Sequence, residues 1–160
     1  MLLNKVLTLK VLKKKVTQLK LKKKIIVMTN GCFDIIHSGH IKILKKSKDL
    51  GDILIVAINS DKSIKANKGN DRPFNTLRDR LSVLNSISYI DYVLVFNTET
   101  PDKLYKYILP NILTKGAEYS RQKSNIAGGH HVMANKGKII FVSMKKNLST
   151  TNILKRIKKK

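Results

Sequence analysis

The stretch from Ile25 to Ile58, "IIVMTNGCFDIIHSGHIKILKKSKDLGDILIVAI", decides the fold. It opens on the apolar run Ile25 to Met28 and closes on another, Ile53 to Ile58. Short runs that are apolar on both faces are what a strand buried between two layers requires. Between them Ile41, Leu44, Ser47 and Leu50 recur at helical spacing, and Gly51 stands where a C-cap is expected. Strand, helix and strand in so few residues predict a βαβ crossover, and with it a parallel sheet.

The same alternation continues outward. Upstream, Thr8 is expected to cap a helix with Leu9, Leu12, Val16 and Leu19 on one face and Lys13, Lys14, Lys15 and Lys20 largely on the other. Residues 1–24 are therefore assigned to an amphipathic helix packing on the domain formed by residues 25–160. Downstream, Asn75 is expected to cap a helix holding Leu77, Leu81, Leu84 and Ile87, and Tyr92 to Phe96 reads as a third strand. Thr100-Pro101-Asp102 has the form of a helix start, with a cap, an N1 proline and an acid in the first turn. Ile112 to Thr114 and Ile139 to Val142 read as the fourth and fifth strands. Ser149 or Thr150 is expected to cap a last helix ending in the basic run Lys155 to Lys160. The expected fold is a single α/β domain, a Rossmann-like doubly wound parallel sheet with helices on both faces.

A chain of 160 residues suffices for one real core. Its single cysteine, Cys32, excludes an intrachain disulfide, and no Cys/His cluster has the spacing of a structural zinc site. Lysines interrupt the apolar residues of the first 24 positions, so neither a signal peptide nor a membrane span is read there, and a cytoplasmic setting is expected. The net charge of +23 invites a nucleic-acid reading. Against it, 28 of the 33 basic residues are lysine and only five are arginine, the residue favoured for bidentate base and phosphate contacts. Neither a specific nucleic-acid partner nor a membrane is expected; charge alone would still give nonspecific phosphate attraction.

In doubly wound sheets ligands bind beyond the carboxyl ends of the strands. Thr29, Asn30 and Gly31 end the first strand, and His37-Ser38-Gly39-His40 is expected at the opening of the next helix. A helix N-terminus offers unpaired N–H groups and a partial positive charge, hence an anion site. Two imidazoles three residues apart share a face and add donors that can carry charge near neutral pH beside a phosphate. His130-His131 is expected to face solvent, and no residues are assigned to a metal.

"NGCFDIIHSGH" resembles the G-x-F-D-x-x-H-x-G-H signature of the HIGH-type nucleotidylyltransferases. "LGDILIVAINSDKSIKANKG", "DRPFNTLRDRLSVLNSI", "DYVLVFNTETPDKLYKYILPNILTKGAEY", "IAGGHHVMANKGKIIFV" and "STTNILKRI" are similar, in that order, to the heptose 1-phosphate adenylyltransferase domains of bacterial bifunctional kinase/adenylyltransferases. The resemblance implies AMP transfer from ATP to a sugar 1-phosphate, D-glycero-β-D-manno-heptose 1-phosphate, with Mg2+ accompanying ATP. It implies that His37 and His40 are catalytic and that Asn30, Gly31, Cys32, Phe33 and Asp34 line the nucleotide. Lys115 and Gly116 would lie beside the base, and Ser149, Thr150 and Thr151 would face the triphosphate. Lys65 and Lys68, on a mobile loop, and Arg80 would meet the substrate phosphate.

The chain departs from that pattern at Ala117 and Glu118, where the family has glycine and aspartate, and at Asn147 and Leu148, where it has glycine and often arginine. The 160 residues leave no room for a kinase domain, so a separate sugar kinase is an expected partner; a homo-oligomer is compatible with the chain. Three other readings remain open: a cytidylyltransferase for glycerol 3-phosphate or a similar ester, a basic nucleic-acid-binding protein on this scaffold, and an inactive remnant.

Overall fold

The computed structural model describes residues 3–143. Five parallel strands, β1 (Ile26–Gly31), β2 (Ile53–Asn59), β3 (Tyr92–Phe96), β4 (Ile112–Gly116) and β5 (Lys138–Val142), form one sheet in the order β3-β2-β1-β4-β5. Around it lie α1 (Leu9–Leu21), α2 (Ser38–Lys48), α3 (Asp61–Lys68), α4 (Leu77–Ser86), α5 (Asp102–Ile108) and α6 (Gly129–Ala134). A 3-10 helix spans Ala117–Asn125.

The two faces of the sheet can be read off alternate residues. On one face Ile26, Met28, Ile55, Ala57, Leu94 and Leu113 pack with Leu12 and Val16 of α1, Leu104, Tyr105 and Ile108 of α5, and Val132 of α6. On the other, Val27, Leu54, Val56, Ile58 and Val93 pack with Leu44 of α2 and Leu81 and Leu84 of α4. These helices cover both faces, as the apolar strand runs require. The N-terminal segment is stitched to the free edge of β3: Leu7 N donates to Val93 O and Val93 N to Lys5 O, at 3.0 and 2.8 Å. No helix among the described residues is long and apolar enough to cross a membrane.

Several local expectations shift. The C-cap of α2 is Asp49, not Gly51. Gly51 serves instead as a close-packing point, where an added Cβ would come within 2.7 to 2.9 Å of Val27 and Ile25. Thr76, not Asn75, caps α4, because Asn75 is engaged in holding Asp34. Pro101 occupies the N-cap of α5, one residue later than expected, with no side-chain cap. Lys65 and Lys68, expected on a mobile loop, lie in the helix α3, capped by Ser60. Only Ser63 and Ile64 of that helix are buried, so its sequence carries almost no apolar period to read. The helix expected after Ser149 lies outside the described residues.

Candidate active site

Strand order reverses between β1 and β4, one leading to β2 and the other to β5, and ligand sites of open α/β sheets form at that switch point. A buried polar set fixes the place: Thr29 Oγ1 donates to Thr114 O at 3.0 Å, and the hydroxyls of Ser47 and Thr114 bond at 2.7 Å, joining β1, β4 and α2. Above it opens a cavity of about 350 Å³, lined in part by Asn30, Gly31, Cys32, Phe33, Asp34, His40, Lys68, Lys115 and Gly116.

The loop after β1 is held by its own geometry. Phe33 adopts the left-handed region at φ 48°, which turns the chain back, and its ring is buried 5.3 Å from the ring of His40. A Cβ at Gly31 would press on that ring at 3.2 Å, so glycine gives Phe33 its seat. Asp34 anchors the loop to residues 72–75. One carboxylate oxygen accepts from the N–H of Phe74 and Asn75 at 2.9 and 3.0 Å, and the other from Arg72 at 2.9 Å. Burial would raise the Asp34 pKa, but these donors together hold it below the usual carboxylate value.

His37 is the N-cap of α2. Its Nδ1 accepts from Gly39 N at 3.1 Å, while its own N–H donates to His40 Nδ1 at 3.4 Å. The rings lie 4.1 Å apart. With both Nδ1 atoms accepting, the neutral tautomer carries its proton on Nε2 in each ring. Burial lowers the pKa of both; His40, with His37 and Lys68 adding repulsion, falls to about 4. Burial thus favours the neutral form of both rings in the free protein, and the charge expected beside a phosphate concerns the complex.

At the end of β1, Asn30 Oδ1 accepts from Tyr105 OH at 2.9 Å and from the ammonium of Lys115 on neighbouring β4. Burial lowers the Lys115 pKa to about 8 even though Glu118 raises it. The Glu118 carboxylate folds back against Gly116, in the space a Cβ there would need. Ala117 has an ordinary backbone, absent from the positive-φ residues, so the missing glycine costs no strain.

Not every assigned residue reaches the cavity. His37 does not line the cavity although His40 does, and Lys65 is exposed outside the lining while Lys68 is part of it. Arg80, expected at the substrate phosphate, does not line the cavity. It is 1% exposed, and its guanidinium donates to Asn75 O, Cys32 O at 2.6 Å, Asn59 O at 2.9 Å and Asp61 Oδ1 at 2.7 Å. A buried fork with four of its five N–H donors on protein acceptors pins the loop from behind. The arginine that does line the cavity is Arg72, 4.2 Å above the Phe74 ring, which sequence reading passed over. Its rarity among so many lysines was the available signal. Asn59, Glu99 and Tyr119 were also missed. Ser149, Thr150, Thr151, Asn147 and Leu148 lie outside the described residues. His131 does not face solvent as expected: 21% exposed, it bonds Asp102 at 3.2 Å.

A family model described as cytidylyltransferase-like matches residues 28–156. The bifunctional protein HldE of Actinobacillus pleuropneumoniae serotype 5b is 45% identical over 146 residues, 91% of this chain and 30% of that protein. HldE of Coxiella burnetii is 46% identical over 132 residues, 82% and 27% of the two chains. The chain thus spans under a third of the length of these relatives. Among solved structures, the lipopolysaccharide core biosynthesis protein from Thermoplasma volcanium is 26% identical with a TM-score of 0.59, covering 77% of this chain and 98% of that one. A pantoate-beta-alanine ligase from Francisella tularensis shares the fold, with 22% identity and a TM-score of 0.66 over 96% and 76% of the chains.

Proposed function

The chain belongs to the cytidylyltransferase-like family of nucleotidyltransferases, and from that premise we propose that it transfers AMP from ATP to a heptose 1-phosphate, releasing pyrophosphate and forming ADP-heptose. One observation carries the reading: His37 and His40 interlock at the start of α2, and His40 lines, with Lys115, a cavity at the β1/β4 switch point. The similarity to HldE proteins and to a lipopolysaccharide core biosynthesis protein supports the sugar phosphate as acceptor.

In the proposed reaction a sugar phosphate oxygen attacks the α-phosphorus in line. The new P–O bond forms as the bond from the α-phosphorus to the bridging oxygen breaks, and that electron pair leaves with pyrophosphate. The attacking group is already an anion, so no enzyme nucleophile is needed, and positioning with charge neutralisation carries the catalysis. The partial positive charge at the start of α2 would favour the phosphates and the Nε2–H of His40 would donate to a phosphate oxygen, with His37 locking His40 in that tautomer. Lys68, Arg72 and Lys115 would supply fixed positive charge around them. Ser149, Thr150 and Thr151 are proposed as a second phosphate-binding segment.

Mg2+ is proposed to arrive on the triphosphate, where it neutralises charge and orients the phosphates. The cavity fits that mode, because Asp34 is spent on Arg72 and two N–H groups, and Glu118 lies against Gly116. A kinase, whether on a separate chain or on the longer proteins of which this chain resembles a part, would supply the sugar phosphate; the reaction is assigned to the cytoplasm. Pyrophosphate release tests the reading, with ATP or CTP against a panel of sugar and polyol phosphates. Activity with ATP and heptose 1-phosphate is expected; activity only with CTP and glycerol 3-phosphate would replace this proposal by the cytidylyltransferase one.

A further inference from the structure

The four histidines of the chain fall into two pairs. His37 and His40 belong to the cavity; His130 and His131, in the first turn of α6, have no part in it. They meet Asp102, the first residue of α5. His131 Nε2 lies 3.2 Å from Asp102 Oδ2 and His130 Nδ1 4.0 Å from Asp102 Oδ1, and the two imidazole centroids are 3.8 Å apart. One ligating atom from each of the three residues lies within 4.8 Å of the other two. We propose that Asp102, His130 and His131 form a binding site for a divalent transition-metal ion of the zinc class, with its remaining positions open to water.

Neighbouring residues on a helix point about 100° apart and do not normally face one partner. Here both imidazoles of a sequential pair converge on a single carboxylate, which one hydrogen bond to Asp102 would not require. Two ring nitrogens and one carboxylate oxygen make a borderline donor set, suited to zinc, cobalt, nickel or copper, whereas magnesium and calcium take shells of oxygen. Zinc held about 2.1 Å from each ligand places ligand atoms roughly 3.4 Å from one another. The cluster must contract from its present spacing, and it has the means: the His130 side chain is 68% exposed and free to turn, while Asp102 and His131 are already in contact.

The place also gives the ion something to join. Asp102 follows Pro101, a residue of the cavity wall, and Tyr105, one turn further along α5, bonds Asn30 within the cavity. An ion on Asp102, His130 and His131 would clamp the starts of α5 and α6 together beside the nucleotide cavity. The net positive charge of the chain opposes a cation, so binding is expected to be weaker than that of a closed structural zinc site.

The test uses the full chain carrying His37→Ala and His40→Ala, stripped with chelator, so that the cavity histidines do not compete. Calorimetry with Zn2+ is expected to show one equivalent bound, Co2+ to give visible ligand-field absorption, and Zn2+ to raise Tm. Adding His130→Ala, at an exposed position that folding does not need, is expected to weaken Zn2+ binding by more than about tenfold. Asp102→Asn and His131→Ala are expected to do the same, with circular dichroism confirming that each variant is folded. Absence of binding, or binding that His130→Ala leaves unchanged, would overturn the proposal whatever the other variants do.

Discussion

His40 combines two duties that mutation can separate. Its Nδ1 accepts the His37 N–H and so helps cap α2, while its Nε2–H is the donor proposed for the ligand. Losing a cap costs about 1 kcal/mol, roughly 2–4 °C in Tm for a chain of this size. Losing a donor aimed at developing charge costs about 10²- to 10³-fold in kcat. His40→Ala is therefore expected to turn over two to three orders of magnitude more slowly with only a slight drop in Tm, as coupled pyrophosphate release and thermal melting would show; unchanged turnover would remove His40 from the catalytic role. Lys115 gives a pH signature. Burial lowers its pKa to about 8, so its positive charge is present below that pH and lost as pH rises through it. On the alkaline side kcat/KM is expected to decline around pH 8, and Lys115→Met should have a lower but flat profile there. The stability sign runs the other way: the folded state sheds this proton before the unfolded chain does, so the lysine's contribution to stability rises between pH 8 and its ordinary value of 10.5. A pH profile of Tm for the parent against Lys115→Met isolates that contribution.

At the scale of elements, two charged side chains fix the loop after β1 from opposite sides. Asp34 ties it to residues 72–75, and Arg80 of α4 ties it to the end of β2 and the start of α3 through Cys32 O, Asn59 O and Asp61. Lysine cannot reproduce the guanidinium fork, and each buried carbonyl left without its donor costs about 1–3 kcal/mol. Arg80→Lys is therefore expected to lower Tm by roughly 10 °C. KM for sugar phosphate at a temperature where the variant is folded should be nearly unchanged; a large selective rise in that KM would restore Arg80 to the substrate. The contrast shows what the sequence made legible. All five strands could be read because each is a short apolar run, and α1 because Leu12 and Val16 repeat at helical spacing on its buried face. The helix α3 escaped because its eight residues bury only two, and Arg80 was misplaced because a fork inside a loop and a fork on a phosphate use the same residue type. What separates those two is tertiary contact, through Asn59 and Asp61, which no local pattern reports.

Over the whole molecule, the strand order puts the ends of β1 and β4 side by side, so the cavity follows from connectivity and its chemistry from two loops. Around this site sits a chain of net charge +23. Such a field attracts any polyanion, and DNA binding alone would not distinguish a nucleic-acid protein from an enzyme bathed in lysine. Salt does distinguish them. Contacts of lysine with backbone phosphates release counterions, so each of several contacts steepens the loss of affinity with salt, while cavity donors at a helix N-terminus are partly buried and screened less. Fluorescence anisotropy with a random-sequence duplex is expected to show binding at low salt that falls by about 10³-fold or more between 50 and 200 mM salt. Over the same interval KM for ATP is expected to rise by about tenfold at most, since few charges need be neutralised and some of the binding is geometric. Duplex binding that stays tight at the higher salt and discriminates between sequences would instead make the scaffold a nucleic-acid reader.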